Sequence, residues 1–238
     1  MTSFSLPHGY ARIKCVGSFH ELVTTAFEGG INALCWPRTL RGDFHEVVEH
    51  LIADQGITTL DDARLRGLPL SLAGRAAVDC LLEDQRLLRE HGLSPILDLI
   101  HGYPRDEEGA PVPTDVYSFH VDSATTEADT WLCTYHGPAS EGLRNDEARR
   151  RVDIPETRAE LLKAFGGEDS DSDDFLEYLS ENCYDLHYAP LPQAQPFSFG
   201  LGNLWRIAVE YPGSPVPPCI HRAPETVSGD PPRLLLIS

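Results

Sequence analysis

The chain has 238 residues, which is enough for one large domain or for a small helical unit fused to a core domain. Its 37 acidic and 19 basic residues give a net charge of −18, a field that repels nucleic acid and anionic lipid and so argues against either as a partner. Hydrophobic residues make up 41% of the chain, yet no apolar run could span a membrane and no signal peptide is evident, so a cytoplasmic location is expected.

Residues 1–105 are expected to form a mainly helical region that packs on the rest of the chain. Apolar residues at helical spacing predict helices over 44–52 and 71–91, and a short helix is expected to follow over 95–100. Ser71 is a candidate N-cap of the second helix, and Gly92 follows its end. The earlier stretch 11–36 holds short apolar segments that fit outer strands or loops.

Residues 106–238 are expected to form a β core, so the sequence predicts an α+β fold. A loop rich in glycine, proline and charge at 102–113 separates the two parts. Short strands are predicted over 116–121, 130–135, 197–199, 204–210 and 233–237. Such strands divided by Gly/Pro turns indicate a jelly-roll or barrel. An acidic insertion at about 155–190 interrupts them and is expected to hold two helices, 158–165 and 174–179.

The pattern with the clearest chemistry is His120-Val121-Asp122 in the first predicted strand of the core. Side chains at positions i and i+2 of a strand point to the same face, so the imidazole and the carboxylate would aim together. Two such ligands and a distant histidine make the facial triad of non-haem iron(II) oxygenases, which leaves three positions open for co-substrate and oxygen. The tripeptide alone is a weak signal, because most such pairs are ordinary surface residues.

The distant histidine is His221, and Arg233 follows at the start of an apolar strand. A buried guanidinium can bind a carboxylate through two parallel hydrogen bonds. That carboxylate could belong to an acidic co-substrate such as 2-oxoglutarate or to an Asp or Glu of the chain, and both remain open here. The order H-x-D, then His, then Arg on the next strand is more specific than any one of its parts.

Four segments carry a resemblance to a known superfamily: FHVD at 119–122, LCTYHGP at 132–138, HRAP at 221–224 and PRLLL at 232–236. With these, the chain resembles the iron(II)/2-oxoglutarate-dependent oxygenases, nearest to a bacterial branch of unknown function. The likeness extends over about 115–238 and is loose before that.

The resemblance implies a double-stranded β-helix core with His120, Asp122 and His221 as iron ligands. It implies that Arg233 binds the distal carboxylate of 2-oxoglutarate, that O2 is the second co-substrate, and that a small molecule or amino-acid-like compound is hydroxylated. The loop 139–142 and the acidic insertion depart from that branch, so the resemblance does not imply a particular substrate. Retention of Asp122 argues against a halogenase.

Other interpretations remain beside this one. Tyr117 and Tyr135 are candidates to line the pocket and bind the co-substrate, although tyrosines in strands more often pack in a core. A cupin-like dioxygenase would bind metal without 2-oxoglutarate and would not need Arg233. A non-enzymatic metal-binding module is a third interpretation. The oligomeric state is not indicated by the sequence.

Overall fold

The computed structural model describes residues 6–51, 56–106, 110–227 and 229–238. Within these ranges the chain is an α+β protein, as the sequence predicts, with mostly antiparallel sheets and six α-helices. None of these six helices is both long and apolar enough to cross a membrane.

The described strands are short and lie along the whole chain. In order they are β1 (Ile13–Cys15), β2 (Ala33–Trp36), β3 (Ile57–Thr59), β4 (Ile96–Ile100), β5 (Asp129–His136), β6 (Glu141–Leu143), β7 (Ala148–Arg150), β8 (Tyr188–Pro190), β9 (Phe197–Ser198), β10 (Leu204–Ala208), β11 (Ile220–Arg222) and β12 (Arg233–Ile237). The helices are α1 (Phe19–Thr24), α2 (Phe44–His50), α3 (Asp62–Arg66), α4 (Leu72–Glu90), α5 (Pro155–Phe165) and α6 (Asp173–Glu181).

Seven of these strands form one large sheet in the order β1-β2-β10-β5-β12-β4-β3. Only β1 and β2 pair in parallel; every other neighbour pair in this sheet is antiparallel. Strands from both sides of residue 105 are interleaved in it, because β10 pairs with β2 and β12 pairs with β4. The N-terminal part therefore supplies four strands of this sheet as well as helices.

The helix predicted over 95–100 is wrong, because this segment is β4 and hydrogen-bonds to β12 on one side and β3 on the other. A five-residue segment that is mostly apolar cannot be assigned to helix or strand by periodicity alone. Here the hydrogen-bond pairing with β12 and β3 shows that the segment is a strand. Leu97 and Leu99 face the helices, while Ile100 faces the opposite side of the sheet.

The helices predicted at 44–52 and 71–91 are confirmed as α2 and α4, although residue 52 lies outside the described residues. The Ser71 hydroxyl accepts hydrogen bonds from the backbone N–H groups of Ala73 and Gly74, which makes it the N-cap of α4. The apolar face of α4 packs on the large sheet through Ala77, Leu81 and Leu88, and this contact forms the main hydrophobic core.

A second layer is built from β9, β6 and β11, which form a three-stranded sheet, and from the pair β7-β8. The strand predicted over 116–121 is wrong as a regular strand. The Asp115 carboxylate accepts the N–H groups of Tyr117 and Ser118, which bends the chain into a turn. Only His120 then pairs across strands, and it links the two parts of the layer by bridging to His221 and His187.

The space between the two layers is filled by a second apolar cluster that includes Phe197, Phe199, Trp205 and Leu235. Gly142 of β6 lies against it, and a Cβ at this position would overlap the rings of Phe197 and Phe199. The helices predicted in the acidic insertion are confirmed as α5 and α6, which form a separate small cluster.

Candidate metal site

Backbone pairing brings His120 and His221 side by side. Each donates its backbone N–H to the carbonyl oxygen of the other at 2.9 Å, the reciprocal pattern of a directly opposed antiparallel pair. Opposed residues project their side chains to the same face of a sheet, and the two imidazole centroids lie 4.6 Å apart. The histidines are thus held together by main-chain hydrogen bonds.

Asp122 joins them from the segment that follows His120. Its backbone carbonyl accepts the N–H of Glu210 at 2.8 Å, and its Oδ2 accepts the Thr130 hydroxyl at 2.5 Å. Oδ2 lies 3.7 Å from Nε2 of His221, and one ligand atom from each of the three residues falls within 4.8 Å of the others. The structure therefore brings together His120, Asp122 and His221.

The outward nitrogens of both imidazoles are oriented by main-chain carbonyls. Nδ1 of His120 donates to the Ser118 carbonyl at 2.8 Å, and Nδ1 of His221 donates to the Cys219 carbonyl at 3.3 Å. With the proton on Nδ1, each ring keeps a lone pair on Nε2. Metal-binding histidines usually donate their other ring N–H to a carbonyl or carboxylate in this way.

The protonation states also suit a cation. Burial, together with the neighbouring His221, lowers the pKa of His120 to about 4, so this ring is neutral at neutral pH. Burial alone would raise the pKa of Asp122, but His221 and the Thr130 hydrogen bond outweigh it and lower the pKa below its usual value. Two imidazole nitrogens and one carboxylate are the donor set of non-haem iron(II) sites. The residues present fit that metal.

Arg233 is 1% exposed, at the first position of β12. Its Nη1 donates to the Tyr103 hydroxyl at 3.0 Å and its Nη2 donates to the Ser140 hydroxyl at 2.8 Å, while its buried Nε has no hydrogen-bond partner. Both partners are neutral, and burial lowers the pKa of the guanidinium. Among the described residues no carboxylate pairs with it, so the interpretation of a protein Asp or Glu partner is not supported.

The guanidinium lies on the side of the large sheet that faces the second layer. Leu235, two residues on, belongs to the cluster between the layers, whereas the intervening Leu234 belongs to the helix-facing core. Its partner Ser140 lies two residues before Gly142, which pairs directly with His221. At about 3.4 Å per residue along a strand, Ser140 is about 7 Å from the level of His221. Ser140 therefore connects the Arg233 guanidinium to the strand that pairs with His221.

The two predicted tyrosines fall in different places. Tyr117 contacts the Arg233 environment: its hydroxyl accepts the Tyr103 N–H at 3.0 Å, and the two rings meet edge to face. Tyr135 points to the helix side, where its hydroxyl donates to Asp84 at 2.6 Å and its ring stacks on Phe44. The structure does not bring Tyr135 to the triad.

Sequence reasoning missed four neighbours of the site: Tyr103, Ser140, His187 and Arg151. Ser140 lies in the loop 139–142. The only sequence signal in this loop was that it differs from the bacterial branch that the chain resembles. His187 is buried beside His120, with ring centroids 5.6 Å apart. Nothing in its sequence context marks it, because it lies in the insertion and reaches the site only through an isolated bridge.

A cavity of about 1150 Å³ opens elsewhere, lined in part by Arg38, Phe44, Tyr135, Ala139 and Phe197. Neither the triad nor Arg233 lines it. The triad and Arg233 are therefore separate from this cavity. Of the residues that line the cavity, Ala139 is next in sequence to Ser140, which accepts a hydrogen bond from Arg233.

No family model, curated protein or solved structure matches this chain.

Proposed function

We propose that the chain is a cytoplasmic iron(II)- and 2-oxoglutarate-dependent oxygenase that hydroxylates a small molecule. In this proposal His120, Asp122 and His221 hold the iron, and Arg233 binds the distal carboxylate of 2-oxoglutarate. The observation that carries it is the buried Arg233 guanidinium, which has no acidic partner among the described residues and lies near a two-histidine, one-carboxylate cluster.

A buried cation without an anion needs an explanation. Removing a guanidinium from water costs several kcal/mol unless a counter-ion compensates for it. Within the described part of the chain, Arg233 donates to two neutral hydroxyls, those of Tyr103 and Ser140, and its buried Nε has no partner. The carboxylate of a bound ligand would accept hydrogen bonds from the guanidinium and compensate its charge. A metal site without an acidic co-substrate gives Arg233 no such role.

The chain's own residues would bind and orient the reactants. The carbonyls of Ser118 and Cys219 hold the imidazoles with Nε2 available, and Thr130 holds the Asp122 carboxylate. Arg233 fixes one end of the co-substrate, and the aromatic cluster between the layers keeps water away from it. When bound, iron with 2-oxoglutarate and O2 supplies the oxidising power for hydroxylation.

The arrangement of the layers supports a double-stranded β-helix core within this proposal. A large sheet faces a second layer across an apolar interior, and the candidate ligands come from the second layer and the segment that leads into it. Strands β5, β10 and β12 of one layer and β6, β9 and β11 of the other all lie within the range of the resemblance.

The test is an anaerobic titration of the iron(II)-loaded protein with 2-oxoglutarate, followed by absorption spectroscopy. The proposal expects the weak visible charge-transfer band of the iron chelate in the wild type and its loss in His221→Ala. His20→Ala is the matched control, because it removes an exposed histidine of α1 and should leave the band unchanged.

A second readout separates the metal from the co-substrate. Iron content is measured on the same samples, and the proposal expects it to fall in His221→Ala alone. Wild-type protein that retains iron but gives no band with 2-oxoglutarate would sink the proposal in favour of a cupin-like enzyme or a metal-binding module.

A further inference from the structure

Five residues form a continuous row across the second layer. Gly142 pairs with His221, His221 with His120, and His120 with His187. Beyond them, the β7-β8 register pairs Arg150 with Tyr188, so the next step of the same register places Arg151 opposite His187. The Arg151 N–H donates to the His187 carbonyl at 2.9 Å, which continues the pairing to this point. Arg151 thus ends a row that runs through the candidate metal site.

Members of such a row share a face of the sheet. Directly opposed residues of antiparallel strands project their side chains to the same side. Neighbouring strands are about 4.8 Å apart, so the backbone of Arg151 lies roughly 10 Å from that of His120. An arginine side chain covers much of this distance, so the guanidinium can lie over His187 on the way to His120. Arg233 reaches the row near its other end, through Ser140.

The guanidinium of Arg151 is half-buried, less than that of Arg233, and like it has no carboxylate partner among the described residues. Its Nε is buried and has no hydrogen-bond partner, and no described residue forms an ion pair with Arg151. Burial alone lowers its pKa, with no carboxylate acting in the opposite direction. The preceding residue shows the contrast: Arg150 donates to the Asp185 carbonyl at 2.9 Å and lies 3.8 Å from its carboxylate.

His187 is the residue between Arg151 and the metal ligands. Its Nδ1 is 2.5 Å from the Ser118 hydroxyl, and that hydroxyl donates to the Pro113 carbonyl, so Nδ1 must be the donor. Nε2 is left as a lone pair with no partner among the described residues. Burial and the charge of Arg151 lower the pKa of His187 to about 4, so the ring adds no charge at neutral pH.

We propose that Arg151, with His187 beside it, binds a carboxylate of the primary substrate, which is therefore a carboxylic acid. This inference rests on the proposed function, because it needs an oxidising centre at His120, Asp122 and His221. The reacting carbon would lie between the carboxylate and the centre, over the ring of His187. The two ends of the row would then bind different acids, with the co-substrate at Arg233.

A carboxylate fits this end better than a phosphate. One guanidinium fork matches one carboxylate with two parallel hydrogen bonds. The Ser118 hydroxyl that contacts His187 lies in the turn held by the Asp115 carboxylate, so a negative charge already lies near this subsite and opposes a dianion. A single negative charge is what this subsite can compensate.

The test measures binding of defined probes by ligand-observed NMR, with the full chain loaded with Zn(II), with and without saturating 2-oxoglutarate. The probes are the L-amino acids, straight-chain acids from propionate to octanoate, and phenylacetate, each beside its primary amide, with phenyl phosphate as the phosphate arm. The inference expects at least one acid to bind wild-type protein and its amide not to bind. Arg151→Gln should weaken that acid at least tenfold.

Three further variants make the result specific. Arg149→Gln removes the same charge from an exposed position on β7 and should leave the affinity unchanged. Arg151→Lys retains the charge but loses the fork, so intermediate affinity is expected. Arg233→Met should abolish binding of 2-oxoglutarate while the acid still binds. The melting temperature of ligand-free Arg151→Gln should equal or exceed that of the wild type, because no partner is lost.

Several outcomes would overturn the inference. These are that no probe binds in an Arg151-dependent way, that the amides bind as well as the acids, that phenyl phosphate binds best, or that Arg151→Gln melts at a lower temperature. Dependence of the acid on Arg233 instead of Arg151 would also do so. Failure of the proposed function has a different signature, which is loss of 2-oxoglutarate binding in wild-type protein with the Arg151-dependent acid intact.

Discussion

Two buried arginines on opposite faces of the large sheet have opposite surroundings. On the helix side, Arg38 forms two hydrogen bonds to the Asp84 carboxylate, at 2.6 and 2.8 Å, and a third to the Gly202 carbonyl. Between the layers, Arg233 is at least as buried, but its hydrogen-bond acceptors among the described residues are two neutral hydroxyls. A buried charge that the chain itself compensates belongs to the stability of the fold. One that the chain leaves uncompensated indicates a ligand, and this difference can be tested by substitution.

The largest expected effect on folding is in the compensated pair. Asp84→Asn leaves the Arg38 guanidinium buried without its anion and weakens the acceptor of the Tyr135 hydroxyl. Removing one partner of a buried pair typically costs about 3–5 kcal/mol. We therefore expect the free energy of unfolding, measured by urea denaturation, to fall by about that amount. Glu83→Gln, which breaks an exposed pair on the same helix, should change it little.

The second-largest effect is expected at acid pH, which should lower the free energy of unfolding through a residue beside the candidate metal site. The pKa of His187 is about 4 in the folded chain against an ordinary value of 6.5, so between these pH values the unfolded state binds more protons. Stability of metal-free protein should therefore fall as pH falls from 6.5 to 4, by on the order of 2–3 kcal/mol from this residue. Urea denaturation of wild type and His187→Asn at several pH values measures it. An equally steep loss in the variant would contradict the assignment.

A smaller loss of stability is expected from a substitution at the contact between the second layer and the aromatic cluster. Gly142→Ala adds a Cβ that overlaps the rings of Phe197 and Phe199, and overpacking of this kind costs about 1–3 kcal/mol. Displaced rings would also disturb the strand beside His221, so iron affinity should fall with stability. Ser198→Ala, on the strand paired with β6, is the control for urea denaturation and iron content. Unchanged stability of Gly142→Ala would show that the rings move freely.

The smallest effect on folding is expected at the uncompensated arginine. Arg233→Met replaces a buried charge without an anion by an apolar side chain of similar length, so the free energy of unfolding should stay within about 1 kcal/mol or increase. Binding of 2-oxoglutarate, measured by calorimetry on the metal-loaded protein, should weaken at least 100-fold, which is about 2.7 kcal/mol. A large loss of stability with binding intact would reverse the distinction between the two arginines.

The sequence predicted the composition of the candidate site better than its construction. His120, Asp122, His221 and Arg233 could be grouped because their residue types and order carry chemistry that does not depend on the details of the backbone. The regular strand expected around His120 is absent, since Asp115 turns the chain first. The side chains meet instead through bridges to two distant segments, which no local periodicity can reveal.

The neighbours of the triad could not be predicted for the same reason. His187 lies in the acidic insertion, whose two helices were predicted correctly, and Arg151 lies just before it. Their relation to His120 depends on register across three segments far apart in the chain. Likewise, β4 was predicted as a helix because so short a segment, with four apolar residues around Asp98, fits both structures, and its partners β12 and β3 decide between them.

The position of β12 has a consequence for how the protein is made. This strand, at residues 233–237, lies inside the large sheet, with β5 on one side and β4 on the other. While a ribosome is still synthesising the preceding residues, β4 and β5 each have an unpaired edge, and such edges invite pairing with other chains. The sheet therefore closes only after residue 237 has left the exit tunnel. Arg233 arrives with that closing strand, so a nascent chain cannot bind an acid at this site before its sheet is complete.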